Sequence, residues 1–588
     1  MDTIASIIAT AAGRYGNAPA LQHRTPTGWA QVTYTELDTI TGELGRGLIE
    51  LGVAPGDRVC ILSETRPEWT YVDFALLRAG AAVVPIYPSS SPEECAWVIG
   101  NSGARFVVCE DAAQVAKIDK VRERLPELEA VLVIDPTGTT ALSSLEDLRV
   151  SGRSAGGEEL ARRTAAVGPD DTWSVVYTSG TTGPAKGCVI THRNMRFTLA
   201  TVEDHGLLTG QDRAFLFLPL AHMFARVIQL HAVEVGACVI YFGGDLTQIL
   251  AELAETRPTF LPSVPRVFEK IHAKALAHAR EAGGAKLKVF SWAVEVGREV
   301  ARGQESGTPP SLALRAKYAI ADRLVFAKVR DVFGGEVRTV LTGAAPIAPE
   351  ILEFFYGAGI TVVEGYGMTE TTAVISVTPP GRPRFGTVGT AVPGVEISIA
   401  EDGEVLTRGQ NVFAGYHHDP EATAATIVDG WLHTGDLGEL DADGYLTITG
   451  RKKDIIITAG GKNLSPANLE NDLQRSRWIS RAFMHGDRRP YPVALITLDP
   501  EEITAYASEH GLPAGLGELA AHPAVHQLIQ TDLDGVNARY AKVSQIKRFV
   551  VLDHDLTQEA GHLTPTLKVK RSAVEKQYAA VLDRLYAE

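Results

Sequence analysis

The segment Tyr177–Gly187 constrains the fold of this chain more than any other feature of the sequence. It carries three glycines, four serine or threonine hydroxyls and a lysine between an apolar run and a helix-like stretch. Glycines let a backbone approach an anion closely, and hydroxyl and ammonium groups donate to phosphate oxygens. Two residues separate Gly180 from Gly183, and two more separate Gly183 from Lys186, which is not the spacing of a Walker A loop. The segment predicts a phosphate-binding loop outside the usual γ-phosphoryl transfer enzymes; the plain alternative is a flexible surface loop.

The length of 588 residues exceeds what one hydrophobic core usually fills, so we expect two or more domains. Short β-branched runs alternate with helical patterns up to about Gly386, which is typical of α/β layers with largely parallel sheets. Beyond that point, short strands between Asp-Gly turns predict a β-rich subdomain. We therefore predict a multidomain α/β fold with a large N-terminal domain, 1–450, of layered α/β subdomains plus the β-rich subdomain. A hinge, 451–455, and a small, mobile α+β C-terminal domain, 456–588, complete the prediction.

Composition and charge exclude several classes of protein. Apolar residues at 45% and charged residues at 22% describe an ordinary globular chain. A net charge of −15 argues against a nucleic-acid partner. The five cysteines are odd in number and lack metal-type spacing, which favours reduced thiols. No secretory signal pattern and no apolar run of spanning length are visible, so we expect a cytoplasmic protein.

The stretch 273–330 departs from this acidic balance, with 11 Lys/Arg against 5 Asp/Glu. Helical spacing places a set of apolar residues on one face: Val289, Trp292, Ala293, Val296 and Val300. Two interpretations stay open. A basic amphipathic helix can lie peripherally on the anionic inner face of a membrane. Alternatively, the helix packs on its own core and keeps a solvated charged face.

A second motif, Gly365–Thr371, places an aromatic ring between two glycines, so that Tyr366 can stack on a purine base. Within it, Glu370 offers the hard oxygen ligand that suits Mg²⁺, the usual companion of ATP. Upstream, Thr342–Pro346 is rich in small residues that leave room for a flat base. Each segment alone could be a tight turn; their order along one chain favours a nucleotide site.

Two further segments carry candidate ligands. Asp436 can accept hydrogen bonds from both ribose hydroxyls, and Arg451, fifteen residues later, could hold the ribose or a phosphate from the other side. The alternatives are a turn residue and a surface cation. Near the end of the chain, a proline-rigidified loop carries Lys568, whose compact charge could neutralise developing oxyanions. Its alternative is a basic C-terminal tail.

Taken together, these motifs make nearly the whole chain similar to the acyl-CoA synthetases of the adenylate-forming superfamily. It most resembles their long-chain fatty acid branch. The segments that carry the resemblance are Tyr177–Gly187, Leu218–Phe224, Val264–Arg266, Thr342–Pro346, Glu364–Thr371, His433–Asp436, Gly450–Asp454 and Leu563–Arg571.

The resemblance implies a role for each position of the nucleotide site. The β- and γ-phosphates would be bound by Thr178, Ser179, Gly180, Thr181, Thr182, Gly183 and Lys186, and the adenine by Gly343, Ala344, Ala345 and Tyr366. Glu364, Gly365 and Gly367 complete the nucleotide motif, and Thr369 would contact the α-phosphate. Glu370 would bind Mg²⁺, and Asp436 and Arg451 would bind the ribose. The catalytic set would be Lys568, Glu370, Thr178 and Lys186, with Lys568 as the adenylation lysine.

The same resemblance implies residues outside the nucleotide site. His222 and Phe224 would border the acyl pocket, although His222 could also be an ordinary core histidine. Lys453 would be the hinge residue, at a position that is often Asp in the family. Gly460 and Gly461 would approach the pantetheine arm of coenzyme A.

The function implied by the resemblance is ATP-dependent ligation of a long-chain fatty acid to coenzyme A through an acyl-AMP intermediate, with ATP, Mg²⁺ and coenzyme A as cofactors. One alternative is an acyl-AMP ligase that hands its acyl group to a carrier-protein thiol. Another, of a different class, is a non-catalytic fatty-acid-binding or uptake scaffold. The sequence leaves monomer and homodimer equally open.

Overall fold

A computed structural model describes residues 3–138, 143–178, 184–281, 283–379, 381–459, 462–564 and 567–587. It confirms the predicted multidomain α/β fold. Two large sheets with helices packed on them are followed by a smaller antiparallel sheet and then by a C-terminal part with a sheet of its own. The domain limits at 450 and 455 remain predictions.

The first sheet has nine strands, and its six central strands run parallel. Across the sheet the order is Thr390–Ala391, Ser376–Val377, Thr361–Tyr366, Thr339–Thr342, Phe260–Ser263, Arg213–Leu216, Cys238–Tyr241, Pro19–Thr25 and Gly28–Thr33. The carboxyl ends of parallel strands share one edge, where α/β proteins bind ligands. The residues that follow Thr342 and Tyr366 therefore lie side by side at this edge.

The second sheet has seven strands, in the order Gly415–Tyr416, Lys186–Thr191, Thr172–Thr178, Ala82–Ile86, Arg58–Leu62, Phe106–Cys109 and Ala130–Val133. Its central strands are buried along nearly their whole length, as expected for parallel strands covered on both faces. The helix-like stretch predicted after the loop is confirmed. The end of the predicted loop is itself a strand, because Lys186–Thr191 forms an antiparallel hairpin with Thr172–Thr178 and its β-branched residues continue the buried sheet. The helix then begins at His192, capped by the Thr191 side chain.

The third sheet is antiparallel and confirms the predicted change of texture after Gly386. It contains Glu396–Ile399, Glu404–Arg408, Trp431–Leu440, Ile427–Val428 and Leu446–Arg451. The strand Leu446–Arg451 is also the last regular element before the linker. Its register pairs Arg451 with Asp436.

The described residues up to the linker contain α-helices of widely different length. They span Ile7–Tyr15, Tyr34–Leu51, Pro67–Ala79, Pro92–Ser102, Ala112–Asp119, Leu145–Ser154, Glu158–Ala166, His192–Asp204, Met223–Val235, Ile249–Thr256, Pro265–Glu281, Gly284–Glu305, Leu312–Ala321, Ala327–Asp331, Pro349–Gly357 and Pro420–Thr426. A π-helical turn, Asp322–Phe326, joins two of them, and 3₁₀ turns span Arg122–Arg124, Leu246–Gln248, Thr369–Thr371 and Lys452–Asp454.

A fully buried ion pair joins two helices to the large sheets. Asp73, on Pro67–Ala79, accepts a hydrogen bond of 2.6 Å from Arg226, on Met223–Val235, and both side chains are 0% exposed. Arg226 also donates to the Ser174 hydroxyl of the second sheet and lies 3.8 Å from the Trp173 ring centroid. These contacts partner both terminal nitrogens of the guanidinium, whereas its buried Nε has no hydrogen-bond partner among the described residues.

The helices of the basic stretch pack mainly inward. In Gly284–Glu305, Ala293 and Val296 are buried in a hydrophobic cluster, and Val300 packs against the same cluster. Val289 and Trp292, which the sequence placed on the same apolar face, are 40% and 36% exposed. The five residues therefore divide between core and surface, because the helix presents only part of its apolar arc to its neighbours.

The C-terminal part has a sheet of Ile479–His485, Val493–Leu498 and Arg548–Val551 and a short pair, Ile456–Ile457 with Asn463–Leu464. Its helices span Pro466–Gln474, Pro500–His510, Leu516–Ala520, Pro523–Asn537, Arg571–Gln577 and Ala579–Ala587. Two hydrophobic clusters hold it together, and all their members lie between Ile456 and Tyr586. This part thus has the separate core that an independently moving unit requires.

Polar contacts connect the C-terminal part to the rest of the chain. They are Gln558 to Ser89 (3.1 Å), Lys570 to Glu94 (3.8 Å), Arg266 to the Gln474 carbonyl (2.6 Å), Lys270 to Asp499 (3.7 Å) and Arg475 to Glu350 (3.4 Å). They bring the loop of Lys568 over the edge where the parallel strands of the first sheet end. In the part of the chain that the structure describes, no helix is both long and apolar enough to cross a membrane.

Candidate active site

Three residues predicted from separate motifs meet at one carboxylate. The Tyr366 hydroxyl donates to Asp436 Oδ2 at 2.7 Å, and Arg451 Nε donates to Asp436 Oδ1 at 3.0 Å. The Asp436 side chain is 8% exposed, whereas Arg451 is half exposed. Burial, followed by the charge of Asp436, raises the pKa of Tyr366, so its hydroxyl stays protonated and donates. A carboxylate has about four acceptor positions, so Asp436 retains acceptors for further donors.

The two predicted base-binding segments lie beside each other at the strand ends. A Cβ on Gly343 would come within 2.8 Å of the Gly365 carbonyl oxygen, and one on Gly367 within 2.1 Å of the Ala373 carbonyl oxygen. Glycine at these two positions therefore permits the backbone packing itself. Ala344 has φ of +67°, in the left-handed region that non-glycine residues seldom adopt. Ala344 and Ala345 are exposed above this packed edge.

Glu364 adds an unusual carboxyl group to the same edge. It is paired in register with Thr342 on the neighbouring strand. Burial alone raises the pKa of Glu364 from its ordinary value of 4.5 to about 8, so this side chain is protonated at neutral pH. The hydroxyl of Thr342 is buried and has no hydrogen-bond partner among the residues that the structure describes. Both groups remain available to a polar flat ligand.

Glu370, the predicted metal ligand, is buried and held by a residue that the sequence analysis missed. The Tyr416 hydroxyl donates to Glu370 Oε1 at 2.8 Å. Burial raises the pKa of Glu370, and the bond from Tyr416 and the charge of Arg451 oppose that rise. Burial, followed by the charge of Glu370, also raises the pKa of the Cys188 thiol. Glu370 is therefore a buried carboxyl group whose negative charge, when it is ionised, is only partly offset by its neighbours.

The same tyrosine also contacts the predicted phosphate lysine. The Lys186 ammonium lies 5.0 Å from the centroid of the Tyr416 ring and 3.8 Å from Asp419 Oδ2. Thr178 is paired in register with Lys186 across the hairpin. Tyr416 reaches this position because the strand Gly415–Tyr416 pairs with Lys186–Thr191, more than two hundred residues earlier. Only this long-range pairing reveals it; no local pattern marked it.

The residues present fit a magnesium ion that is shared with a phosphate ligand. Within the described ranges, no three His, Cys, Asp or Glu side chains converge as a metal site. Mg²⁺ in nucleotide enzymes commonly takes one or two carboxylates and completes its shell with phosphate oxygens and water. The single buried carboxyl of Glu370, which burial leaves poorly compensated, matches that donor set.

Lys568 lies within electrostatic reach of this group of residues. The residue is exposed, and desolvation at its position lowers the pKa of its ammonium group. The charge of Arg451 lowers the pKa further, and the carboxylates Asp436 and Glu370 oppose this change. The Thr564 N–H donates to the Lys568 carbonyl, and the Lys568 N–H donates to the Thr564 hydroxyl. The structure thus brings the C-terminal lysine to the nucleotide motifs.

His222 borders the site from the N-terminal part. It caps the helix Met223–Val235, and its Nδ1 accepts the backbone N–H of Phe224 at 3.3 Å. Burial, followed by the charge of Lys568, lowers the pKa of His222 to about 4. The ring is therefore neutral at physiological pH, and its proton sits on Nε2. Phe224 is half-buried and packs against the large core cluster.

The remaining predicted residues fall into two groups. Thr369 is half-buried in the 3₁₀ turn Thr369–Thr371, and Lys453 is exposed in the turn Lys452–Asp454. Next to it, Lys452 forms ion pairs with Asp402 and Glu404. Outside the described residues lie Ser179, Gly180, Thr181, Thr182, Gly183, Gly460 and Gly461.

Comparison with family models gives two matches that together span most of the chain. Residues 8–417 match the AMP-binding enzyme model, and residues 453–588 match the model of the AMP-binding enzyme C-terminal domain.

Curated relatives extend the similarity along nearly the full length. The long-chain-fatty-acid–CoA ligase FadD15 of Mycobacterium bovis is 40% identical over 562 residues, covering 95% of this chain and 92% of the relative. The peroxisomal long chain acyl-CoA synthetase 6 of Arabidopsis thaliana is 32% identical over 584 residues, covering 95% of this chain and 82% of the relative.

Solved structures share the fold at lower identity. The anthranilate CoA ligase AuaEII in complex with anthranoyl-AMP has a TM-score of 0.74 at 21% identity, covering 99% of this chain and 98% of that one. A Mycobacterium tuberculosis fatty acyl CoA synthetase has a TM-score of 0.62 at 22% identity, covering 99% of both chains. At this identity the likeness shows the fold alone.

The raised pKa of Glu364 predicts how stability responds to pH. Between pH 4.5 and about 8 the unfolded chain carries Glu364 ionised while the folded chain keeps it protonated. This group's contribution to stability is therefore complete below pH 4.5 and is lost as the pH rises through about 8. The midpoint temperature of the first thermal unfolding transition should fall between about pH 6 and about pH 9. In Glu364→Gln, which carries the neutral isostere, this fall should be smaller by a few degrees.

Differential scanning fluorimetry across that pH range provides the measurement. The matched control is Glu421→Gln, which makes the same chemical change at an exposed residue and should leave the slope unchanged. Parallel profiles for wild type and Glu364→Gln would show that Glu364 ionises normally in the folded protein.

Proposed function

The chain belongs to the AMP-binding enzyme family, and we propose that it ligates a long-chain fatty acid to coenzyme A in two steps. In the first, the fatty carboxylate and ATP give acyl-AMP and pyrophosphate. In the second, the thiol of coenzyme A displaces AMP to give the thioester. The observation that carries the proposal is the convergence of Tyr366, Asp436 and Arg451 with Glu370 and Lys568 at one strand edge. The named activity of the curated relatives supports the choice of acid and thiol.

The nucleotide would lie along the carboxyl edge of the first sheet. Gly343–Ala345 and the Tyr366 ring would hold a flat base between them, and the protonated Glu364 and the Thr342 hydroxyl would bind its polar edge. The unused acceptors of Asp436 suit the two ribose hydroxyls, and the half-exposed Arg451 can reach the ribose or a phosphate.

The phosphates would extend from that position toward the second sheet. The α-phosphate would approach Thr369, and the β- and γ-phosphates the segment from Thr178 to Lys186, of which the strand ends are described. Glu370 would hold Mg²⁺, which when bound would supply positive charge to neutralise the phosphates.

Adenylation needs no general base, because a carboxylate is already a nucleophile. One of its oxygens bonds to the α-phosphorus, and the bond from that phosphorus to the bridging oxygen of pyrophosphate breaks. Lys568 would stabilise the negative charge that develops on the phosphate oxygens, and the neutral His222 would border the acid without adding charge. Positioning and charge neutralisation therefore supply the catalysis.

Thioester formation would follow a rotation of the C-terminal part about Lys453. The rotation removes Lys568 and gives the coenzyme A thiol, guided by Gly460 and Gly461, access to the acyl carbonyl. Sulfur bonds to that carbon, the thiol proton passes to solvent water, and the acyl–phosphate bond breaks to release AMP. A separate hydrophobic core in the C-terminal part and its polar contacts to the rest support such a movement.

Three further statements belong to the proposal. We place the protein in the cytoplasm, with peripheral contact to the inner membrane face through 273–330. Its partners are the fatty acid substrate and coenzyme A, and it binds no nucleic acid. The active species is a monomer or a homodimer.

The overall reaction is tested by release of AMP and pyrophosphate from MgATP with fatty acids from short to very long, in the presence and absence of coenzyme A. We expect thioester only when coenzyme A is present, with the highest kcat/KM for long chains. Pyrophosphate release without any thioester would instead identify an acyl-AMP ligase whose acceptor is a carrier-protein thiol. Absence of turnover with intact nucleotide binding would favour the non-catalytic scaffold.

The role of Lys568 is tested by measuring the two half-reactions separately. Lys568→Ala should slow acyl-AMP formation by about 10²-fold or more, because it removes a charge that acts on the developing oxyanion. Thioester formation from supplied acyl-AMP should be largely spared. Lys576→Ala, at an exposed lysine on the following helix, is the control. An equal loss in both half-reactions would contradict this division of roles.

Tyr416 is proposed to orient Glu370 toward the metal. Tyr416→Phe keeps the ring beneath Lys186 but removes the hydroxyl that donates to Glu370. Loss of such a supporting bond typically weakens metal affinity by about tenfold or more. Binding of Mn²⁺ in the presence of ATP, followed by electron paramagnetic resonance, measures this without turnover.

The control for that experiment is Tyr445→Phe, which removes a buried hydroxyl bonded to the Arg382 carbonyl, on an element that does not carry Glu370. Tyr416→Leu, which also removes the ring, should further weaken ATP binding in the absence of metal. Wild-type Mn²⁺ affinity in Tyr416→Phe would limit Tyr416 to a packing role.

A further inference from the structure

The helical segment 312–331 exposes an apolar stripe that no part of the described chain covers. It consists of Leu312–Ala321, the π-helical turn Asp322–Phe326 and Ala327–Asp331. Its inner side is buried through Leu314, Ala321, Val325, Phe326 and Val329. On the outer side, Leu312, Ile320 and Leu324 are 84%, 54% and 47% exposed, and Ala316 is exposed as well. These four residues, the outer stripe, are spaced by four and so share one helical face.

Exposed cations flank the outer stripe. Arg315, Lys317, Arg323 and Lys328 are all exposed. None of them forms an ion pair with a carboxylate in the described ranges, whereas the neighbouring Arg330 pairs with Asp322. This contrasts with the chain as a whole, whose net charge is −15 and whose arginines are mostly paired. Arg315 donates to the Pro310 carbonyl at 3.1 Å, but no carboxylate of the described residues neutralises the four cations.

The adjacent helix repeats the same combination of side chains. Gly284–Glu305 packs against Leu312–Ala321 and exposes Val289 and Trp292. Its first turns also carry the exposed Lys286 and Lys288. Two consecutive helices thus bury one face in the core and present apolar side chains with lysine or arginine on the other.

We propose that the outer stripe of 312–331, with its flanking cations, is a docking surface for an anionic lipid bilayer. Apolar side chains of an interfacial helix insert at the boundary between headgroups and acyl chains, and each nearby lysine or arginine adds electrostatic attraction to anionic lipid. This surface combines both features, and its charge is opposite to that of the chain as a whole. The inference rests on the proposed function in one respect, because the proposed substrate, a long-chain fatty acid, partitions into bilayers. Binding of the protein to a bilayer does not itself need turnover.

Co-sedimentation of the full chain with vesicles tests the proposal. Vesicles of phosphatidylcholine alone are compared with vesicles that also contain phosphatidylglycerol, without fatty acid, ATP or coenzyme A. We expect binding to the anionic vesicles, weakening with added salt, and little binding to the neutral ones. Because no substrate is present, failure of this binding is distinct from failure of the ligase activity.

Charge-reversal variants locate the surface. The triple variant Lys317→Glu, Arg323→Glu, Lys328→Glu should bind anionic vesicles at least about tenfold more weakly. The control Lys120→Glu, Lys542→Glu, Lys576→Glu changes the net charge equally at exposed lysines elsewhere and should bind like wild type. A second variant, Leu312→Ser, Ile320→Ser, Leu324→Ser, leaves the charge unchanged and should reduce the binding that persists in high salt.

Three results would overturn the assignment. They are absence of binding to anionic vesicles by the wild type, equal binding by the charge-reversal variant and its control, and binding that is insensitive to both the charge and the apolar variants. Sedimentation velocity tests whether a second copy of the chain, instead of a bilayer, covers this surface. A wild-type dimer that the apolar variant converts to monomer, without vesicle binding, would make this face an interface between two copies of the chain.

Discussion

The carboxylate of Asp436 is the contact on which the arrangement of the site depends. It lies on the third sheet, accepts from Tyr366 at the end of a first-sheet strand, and pairs with Arg451 on the strand that leads into the C-terminal part. One buried anion thereby connects the first-sheet strand of Tyr366 to two strands of the third sheet, which are also paired with each other through their backbones. A buried carboxylate that lost either donor would be strongly destabilised, so the three elements keep this arrangement together.

The Tyr416 side chain connects the part of the site on the first sheet with the part on the second sheet. Its hydroxyl holds Glu370, which follows a strand of the first sheet, while its ring contacts Lys186 of the second. Metal ligand and phosphate lysine are therefore positioned by a single side chain. Lys568 comes from the C-terminal part and is affected by Arg451, Asp436 and Glu370 alike, so the set is complete only when that part is docked.

Local spacing in the sequence predicted the α/β layers, the β-rich subdomain and most of the polar residues at the site, because glycines, carboxylates and lysines in short motifs carry direct chemical meaning. It could not predict Tyr416, which reaches Glu370 through a strand pairing with residues 188 and 189. Nor could it predict the raised pKa of Glu364, which depends on burial, or the hairpin that turns Lys186 from a loop residue into a strand residue. The apolar arc of 289–300 was recognised, but its division between core and surface follows from how neighbouring helices pack.

The contacts that hold the C-terminal part in place are single hydrogen bonds and ion pairs, and no hydrophobic cluster of the described residues crosses from one part to the other. Water and dissolved ions can replace such polar contacts, and undocking breaks no hydrophobic cluster shared by the two parts among the described residues. The ionic strength of the surroundings, acting on a few lysine and arginine pairs, then helps to set how long the lysine loop stays over the nucleotide edge.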